Sequence, residues 1–530
     1  MSVCVLLSRI TGFARTWAMA YALGSTFLSS SYQVANNLPN MLYELVMAGM
    51  LVTAFLPVYI SVRKKLGNEA GNEYASNLLS LVTVILGLVT AFSMAFPHLI
   101  VYTQTFYSDQ NTMGTAVFLF QFFAIQTVFY GASSIMSGLL NANRNYFWST
   151  IAPVANNVIV IATFVLYAVV SPHNQQAALY IIAVGNPLGV AAQMAIQIPA
   201  LKRNGIRLRP RINLHDPALR DTVALGAPTI IVMVCSFATV SVMNAASYCF
   251  AEDGPSIIAY ARLWYALPYS LLAIPITTAL FTELTHLHEN GDRKGFIDTV
   301  AKGISEIMFL LVPFALYLVA FSSPLVTLYH FGAFTMENVA QIAAFLCGLA
   351  AALPFYGVSS YLQKVFSSLR KMGVYAAASA AASIVQIALT ALFVVALDGG
   401  APLTIVSVAW ASAVFYLVVD FIAIAYLKRT FGHVGTGRIA QASAAALLLG
   451  GAGALAGFGV LQAYSLLFGA LDGSIPQALA YVVAGGTVSL VVTFGTAAKL
   501  HVKEASFIFD LASRITAKVN AKTSAKRSGR

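Results

Sequence analysis

The chain has 530 residues, of which 59% are apolar and only 9% are charged, and its formal net charge is +11. An ordinary soluble domain carries about 25% charged residues, so the charged side chains here are too few to cover a folded surface of this size. The composition therefore excludes a soluble globule and predicts a polytopic membrane protein. The four cysteines lie in apolar segments without paired spacing, so we predict no disulfide framework, zinc site or other cofactor.

Fourteen apolar segments follow one another along the chain, separated by polar or Pro/Gly-rich breaks. A helix needs about 20 mostly apolar residues to cross the hydrocarbon core. The approximate bounds of the segments are 3–24, 32–62, 76–103, 113–140, 149–171, 177–200, 221–250, 256–284, 303–322, 339–363, 373–397, 402–427, 440–467 and 476–498. Long apolar runs of this kind predict an all-α membrane protein with about 14 transmembrane helices.

The Lys and Arg residues fall in alternate connections between these segments. Every second connection, beginning with 63–75, is rich in basic residues, and these connections with the C-terminal tail hold 27 of the 30. Because basic residues are retained on the cytoplasmic side of short loops, the pattern predicts that both termini are cytoplasmic. The net positive charge then faces the anionic inner leaflet, and no nucleic-acid partner is needed to explain it.

A short motif occurs twice. Residues 130–134 (YGASS) recur as 356–360 (YGVSS), 226 positions later, and each copy precedes an arginine, Arg144 or Arg370, by the same distance. At the same offset within one residue, 97–102 matches 324–329. Two matches at a common offset predict two six-helix lobes in parallel repeat, followed by two C-terminal helices.

The repeat predicts the domain organisation. We expect an N-lobe at 1–200, a basic cytoplasmic linker at 201–220, a C-lobe at 221–427, spans 13 and 14 at 428–498, and a basic amphipathic tail at 499–530 on the inner membrane surface. Two similar lobes around a central cavity are typical of transporters whose cavity opens alternately to each side.

Three arginines lie within the predicted spans, namely Arg9, Arg15 and Arg262. A charged side chain near the bilayer centre costs about 2.5–3.5 kcal/mol on insertion scales, and such residues usually face an aqueous cavity or a partner. The alternative is that Arg9 and Arg262 extend to the membrane interfaces. Because a guanidinium group suits phosphate better than a cation or a neutral drug, the arginines predict an anionic, phosphorylated substrate.

The second predicted span carries a polar stripe. Gln33, Asn37, Asn40 and Glu44 recur at helical spacing, and Asn36 lies beside them. A polar stripe in lipid faces either a wet cavity or hydrogen-bonding groups of a neighbouring helix. Glu44 is the acid of this stripe and is a candidate counter-charge for one of the arginines.

The sequence resembles the MurJ/MviN family of lipid II flippases over most of its length. The resemblance is carried by SRITGFAR (8–15), NLPN (37–40) with AFLP (54–57), LNA (140–142) through AP (152–153), and YHFGAFT (329–335). The run YELV (43–46) is similar to the actinobacterial branch. Two features depart from many relatives: Tyr43 and Glu44 stand where those relatives carry an arginine, and Arg262 comes about one residue early.

The resemblance implies a transporter rather than an enzyme, located in the bacterial cytoplasmic membrane. Its implied substrate is lipid II, with Ser8, Arg9 and Arg15 in a cationic cavity that binds the diphosphate. Spans 13 and 14 would form a groove for the lipid tail, and the membrane potential or an ion gradient would drive the cycle. The implied partners are lipid II, membrane lipids and cell-wall synthesis proteins.

Other functions stay open from the residues. A flippase for another lipid-linked oligosaccharide would share the arginines, whereas a cation-coupled drug exporter would need an acidic cavity. A membrane-embedded transferase acting on polyprenyl phosphates would need clustered carboxylates, which the sequence does not display. A non-transporting scaffold for cell-wall enzymes is the remaining alternative.

Overall fold

The computed structural model describes residues 2–50, 55–469, 471–502 and 504, and the regular structure within them is helical. The predicted amphipathic tail falls beyond this part of the chain, apart from its first few residues. The α-helices, numbered in chain order, are α1 Ser2–Leu23, α2 Phe27–Met50, α3 Leu56–Ala95, α4 Pro97–Thr105, α5 Gln110–Phe123, α6 Gln126–Ala142, α7 Tyr146–Val170, α8 Gln175–Ala195, α9 Ile198–Arg203, α10 Pro217–Phe250, α11 Gly254–Pro268, α12 Ile274–Glu289, α13 Arg293–Ala320, α14 Ser322–Thr327, α15 Met336–Ala350, α16 Leu353–Ser368, α17 Met372–Asp398, α18 Val406–Phe431, α19 Thr436–Phe468 and α20 Ile475–Lys499. A π-helical segment, Tyr269–Ala273, joins α11 to α12.

The predicted all-α membrane fold is confirmed. Among the described residues, ten helices are long and apolar enough to cross a membrane, or up to twelve if two bent pairs each count as one span. Those pairs are α5 with α6 and α15 with α16, bent by 45° and 50°. The helices α1 and α2, which carry most of the predicted site residues, are not among the ten, so the count of fourteen stays a prediction.

Two predicted spans differ from the helices that form. The predicted second span, 32–62, covers α2 and the beginning of α3, because Pro57 starts a new helix at Leu56. Within α3, Gly67 has a non-helical backbone (φ 90°, ψ 176°) that separates the first residues from the apolar part. The predicted third span, 76–103, breaks at Phe96 because Pro97 begins α4.

The chain forms two compact units. The first comprises Met1–Leu263, Tyr329–Phe345 and Met372–Phe415, and the second comprises Trp264–Leu328, Leu346–Lys371 and Tyr416–Arg530. In the first unit, α1 packs on α7, and α2 packs on α5 and α10. In the second unit, α13, α19 and α20 pack closely, and the Tyr317 hydroxyl on α13 donates to Ser489 O on α20 at 3.1 Å. The lobe boundaries expected from the sequence stay a prediction.

The connection between α9 and α10 is fixed to the first unit. Residues 204–216 run along α3, and three of their backbone N–H groups donate to its side chains. Arg209 N donates to Ser76 Oγ at 3.1 Å, Arg211 N to Ser80 Oγ at 3.0 Å, and Asn213 N to Asn77 Oδ1 at 2.7 Å. An ion pair between Arg211 and Glu73, at 2.7 Å, adds a further contact.

The internal duplication is visible in the backbone. Arg144 and Arg370 follow the ends of α6 and α16 with φ of 58° and 56°, a left-handed conformation that non-glycine residues seldom adopt. Both helix ends are closed by the same hydrogen bond, from the residue after the arginine to the carbonyl five residues back. The aromatic pair Tyr43–Tyr130 in one copy has its counterpart 226 residues later in Tyr269–Tyr356. These shared features support the internal duplication that the sequence predicts.

Candidate functional site: a polar cavity around Arg15

The polar face of α1 is held against α7 by Asn157. Its Nδ2 donates to Thr11 Oγ1 at 3.1 Å and lies 3.5 Å from the carbonyl oxygen of Ser8. These contacts set the rotation of α1 and hence the direction in which the following turn presents Arg15.

Arg15 is half-buried and lines a cavity of about 30 Å³. The other residues around this cavity are Thr16, Met19, Tyr32, Gln33, Asn36 and Phe164. A volume of this size is about that of one water molecule. The charge of Arg15 also acts on the hydroxyl groups of Tyr32 and Tyr130, so the surroundings of the guanidinium group are polar but neutral.

The wall of the cavity is a network of neutral hydrogen bonds. The Tyr32 hydroxyl donates to Asn186 Oδ1 at 3.0 Å, and Asn186 Nδ2 donates to Asn36 Oδ1 at 2.6 Å. This network joins α2 to α8, so Asn36 serves as a link between helices while also facing the cavity. The predicted stripe therefore both faces the cavity and hydrogen-bonds to a neighbouring helix, which are the two interpretations that the sequence left open.

The remaining predicted residues lie near the beginning of α1, in the second half of α2 and in α11. Asn40 Nδ2 donates to Glu44 Oε1 at 3.2 Å, and Asn37 is half-buried. Glu44, Arg9 and Arg262 are exposed, and the charge of Arg262 acts on the Glu44 carboxylate. Across the described part of the chain, none of Arg9, Arg15 and Arg262 forms an ion pair within 4.0 Å.

The predicted outer ends of α1 and α2 are closed by a second set of contacts. Ser25 donates a hydrogen bond to the carboxylate of Asp253, Ser29 Oγ and Ser256 Oγ lie 2.7 Å apart, and the Tyr260 hydroxyl donates to Gly24 O at 2.9 Å. Burial raises the pKa of the Asp253 carboxyl group, with the charges of Glu252 and Glu337 adding to the effect.

The loop after α14 covers the end of α1. Ala333 N donates to Tyr21 O at 3.0 Å, and the rings of Tyr21 and Phe331 stack at 5.3 Å between centroids. Gly24 and Gly332 both have positive φ, and a Cβ on either would collide with a carbonyl oxygen of the other segment. Glycine is therefore required at both positions for this closure.

The sequence missed Tyr32 and Asn186 as parts of the site. Both are neutral polar residues inside apolar segments, and the partner of such a residue depends on helix rotation that the sequence does not define. The signal that could have found Asn186 is its place between Gly185 and Pro187, in a helix with few other polar groups.

Comparison with known proteins identifies relatives over most of the chain. Residues 19–471 match the family described as "Lipid II flippase MurJ". The lipid II flippase MurJ of Burkholderia cenocepacia is 27% identical over 361 residues, covering 67% of this chain and 68% of the relative. The probable lipid II flippase MurJ of Rhizobium meliloti is 27% identical over 421 residues, covering 77% and 76%.

Solved structures show the same fold. A structure titled "Lipid II flippase MurJ, inward closed conformation" superimposes with a TM-score of 0.73 at 20% identity, covering 94% of this chain and 99% of that one. An inward-facing multidrug resistance transporter of the MATE family, in the MOP superfamily, superimposes with a TM-score of 0.66 at 12% identity, covering 80% and 94%.

Proposed function

The chain belongs to the lipid II flippase MurJ family, and from that premise we propose that Arg15, with Arg9 and Arg262, binds the diphosphate of lipid II. As a member of this family it is a multi-pass transporter of the bacterial inner membrane and not an enzyme. Its function is to move the undecaprenyl-diphosphate-linked peptidoglycan precursor from the inner to the outer leaflet.

One observation carries the proposed binding site. Arg15 keeps a permanent charge in a cavity whose walls are amides, hydroxyls and apolar groups, without an acid in ion-pair range among the described residues. An unbalanced guanidinium in a membrane protein favours an anionic ligand. Its planar fork can donate two parallel hydrogen bonds to one phosphate.

The other predicted residues have supporting roles in this proposal. Arg9 and Arg262 are exposed and supply further positive charge for the second phosphate, whereas Glu44 offsets part of the charge of Arg262 when no substrate is bound. Ser8, Asn37 and Asn40 offer neutral hydrogen-bonding groups along the entry to the cavity. The lipid headgroup enters from the cytoplasmic half, where these side chains are exposed or half-buried.

Closure at the outer ends supports an alternating cycle. The contacts among Ser25, Asp253, Ser29 and Ser256 are made where α1 turns into α2 and where α10 turns into α11, at the ends away from the exposed arginines. A transporter closed at one end and accessible at the other is one state of such a cycle. In the next state these outer contacts would break and release the headgroup outside.

The lipid tail and the energy source complete the proposal. Leu448 and Leu455 on α19 are 75% and 73% exposed, and they provide an apolar surface on which a polyprenyl chain can lie in contact with lipid. Moving negative charge out of a cell with a negative interior is favoured by about 2.3 kcal/mol per charge per 100 mV. The membrane potential therefore favours export of a diphosphate, and an ion gradient is the alternative energy source.

The test removes the charge of Arg15. We expect Arg15→Ala to abolish the appearance of lipid II in the outer leaflet, measured by a leaflet-accessibility assay in cells depleted of the wild-type protein. Arg15→Lys should recover export only partly, because losing one charge-assisted hydrogen bond costs about 1.5–3 kcal/mol, or roughly 10-fold to 100-fold in rate.

The matched control is Arg207→Ala, which removes the same charge from the exposed connection between α9 and α10. Export should be normal in this variant, and all variants should reach the membrane in equal amounts. Normal export by Arg15→Ala would refute the binding site, and full recovery by lysine would refute the paired hydrogen bonds.

A further inference from the structure

Asp420 is a buried carboxyl group in α18, in the second unit. Its side chain is 5% exposed, and both of its oxygens are enclosed. The hydroxyl group of Ser359 on α16 is the neighbouring group that interacts with the Asp420 carboxyl group. The ion pairs found in the described residues, Arg211–Glu73 and Arg438–Glu504, lie elsewhere. An ionised carboxylate without a cation is poorly tolerated in such a place, whereas the neutral acid is tolerated well.

The duplication provides an internal comparison. Ser359 is the fourth residue of the second motif copy and corresponds to Ser133 in the first. Ser133 Oγ accepts hydrogen bonds from Gln197 Nε2 at 2.7 Å and Gln193 Nε2 at 3.5 Å, both neutral amides. Asp420 follows Gln193 by 227 residues, within one residue of the repeat offset. One copy therefore has neutral amides beside the motif serine, where the other copy has an acid.

Two lysines of this unit lie over aromatic rings. Lys364 lies over the ring of Phe281 at 5.6 Å, and Lys371 lies over the ring of Tyr426 at 5.8 Å. This unit contains two other acids nearby in the sequence, Glu283 and Glu306. Their charges act on the hydroxyl group of Tyr361. The remaining ionisable side chains on α16 and α18 are Tyr356, Tyr416, Lys428 and Arg429, and the last two lie at the cytoplasmic end of α18.

We propose that Asp420, beside Ser359, is a proton-binding site: the carboxylate takes up one proton in this conformation and returns it to water in another conformation of the cycle. No other bond changes. Proton binding follows from the burial of Asp420 alone, whereas its coupling to transport rests on the proposed flippase function.

A path for this coupling begins on the same face of α18. Tyr416 lies one helical turn before Asp420, and its ring contacts Tyr356 at 5.1 Å between centroids. Tyr356 in turn contacts Tyr269 at 4.3 Å, at the start of the π-helical segment Tyr269–Ala273. Segments of π-helix within a longer helix are frequent at functional sites. Two aromatic contacts thus connect Tyr416, one turn from Asp420, to the π-helical segment that follows the helix of Arg262. A change of charge at Asp420 can act on that segment through these contacts.

The experiment measures the proton directly. Infrared difference spectra of the full-length protein, reconstituted in vesicles of phosphatidylethanolamine and phosphatidylglycerol, would be recorded with pH as the perturbation. We expect a carboxylic-acid C=O band in the wild type that is lost in Asp420→Asn and in Asp420→Gln, which introduces the amide of the first copy. Glu306→Gln, a matched change at another buried acid, should keep this band.

Flipping of lipid II by the same vesicles provides the second measurement. The rate should change with pH in the wild type and in Glu306→Gln, and should lose this dependence in both Asp420 variants. An unchanged C=O band in both Asp420 variants overturns the proton site, and an unchanged pH profile overturns the coupling. If the wild type flips no lipid II while the band is lost in the variants, the proton site stands and the proposed function fails.

Discussion

Arg15 is a permanent charge among neutral neighbours. Of the side chains that surround it, Tyr32 and Asn36 are joined by hydrogen bonds through Asn186, and Gln33 Nε2 donates to Met19 Sδ at 3.1 Å. None of these groups offers a negative charge in return. Because arginine does not lose its proton in a protein, an anionic ligand or a lipid phosphate must balance its charge. The site is thus prepared for an anion by its hydrogen-bonding pattern as much as by the arginine itself.

Asp253 makes the outer closure sensitive to pH. Its pKa is raised in the closed state by burial, so proton uptake favours closure. This stabilisation of the closed state is complete below the ordinary aspartate pKa of about 3.9. It disappears as the pH rises through the raised pKa of Asp253. We expect a cysteine at Ser30, in a background without the native cysteines, to react with an impermeant maleimide more slowly as the external pH falls. Each rate is divided by the rate of a free thiol at the same pH, because the thiolate is the reacting species.

Asp253→Asn should show slow labelling at every pH, because its side chain is always neutral. Glu252→Gln, at the exposed neighbouring position, serves as the control and should keep most of the pH dependence. A pH profile in Asp253→Asn equal to that of the parent would contradict the assignment.

The arginines could be predicted from the sequence, whereas their partners could not. A charge in an apolar segment is costly wherever it lies, so the position of Arg15 in the chain is enough to make it conspicuous. The contact between Tyr32 and Asn186 joins residues 154 positions apart and depends on how two helices are rotated. Neutral polar residues in apolar segments carry no comparable signal.

At the scale of helices, close approach of α19 and α20 depends on glycine. A Cβ on Gly457 would collide with Ser489 Oγ and would lie 2.7 Å from Gly485 O and 2.8 Å from Phe321 Cζ. We expect Gly457→Ala to destabilise the protein by about 1–3 kcal/mol, measured as a lower Tm in detergent. The paired variant Gly459→Ala meets nothing within 4 Å and should gain up to about 1 kcal/mol from helix propensity.

Equal Tm values for the two variants would show that the helices separate easily at this point. In that case the packing of α19 on α20 would not define the surface proposed for the lipid tail.

Helix types were easier to predict than helix ends. The sequence predicts the 97–102 segment as the end of a span, and Pro97 instead begins the separate helix α4. Likewise 113–140 and 339–363 each form a bent pair of helices rather than one straight span. Apolarity measures how much of a segment prefers lipid, but a bend depends on backbone hydrogen bonds that apolarity does not describe.

For the whole molecule, the internal duplication was predictable because the motif copies keep their spacing. The repeat also carries information that the sequence match did not reveal: both arginines after the motif adopt left-handed backbone, and both halves use the same tyrosine pair. What the sequence could not indicate is where the compact units divide, since one boundary falls within a single predicted span, between Leu263 and Trp264.

The predicted topology can be tested with three exposed positions. In a cysteine-free background, Phe27→Cys and Asp398→Cys should react with an impermeant maleimide on intact cells, and Glu289→Cys should react only after permeabilisation. Labelling at Phe27 from outside would support the crossing of α1 and α2, which is needed for fourteen spans. Protection of that position on intact cells, with Asp398 labelled, would reduce the count to twelve.

The connection of residues 204–216 is a structural part of the first unit, because its backbone is bonded to α3 at alternate positions. Inserting an epitope or a fluorescent domain there would remove those bonds and disturb α3. A better insertion point is Gly291, which is exposed, already has positive φ and has no atom within 4 Å of an added Cβ. Tagged versions for imaging should therefore be built between α12 and α13.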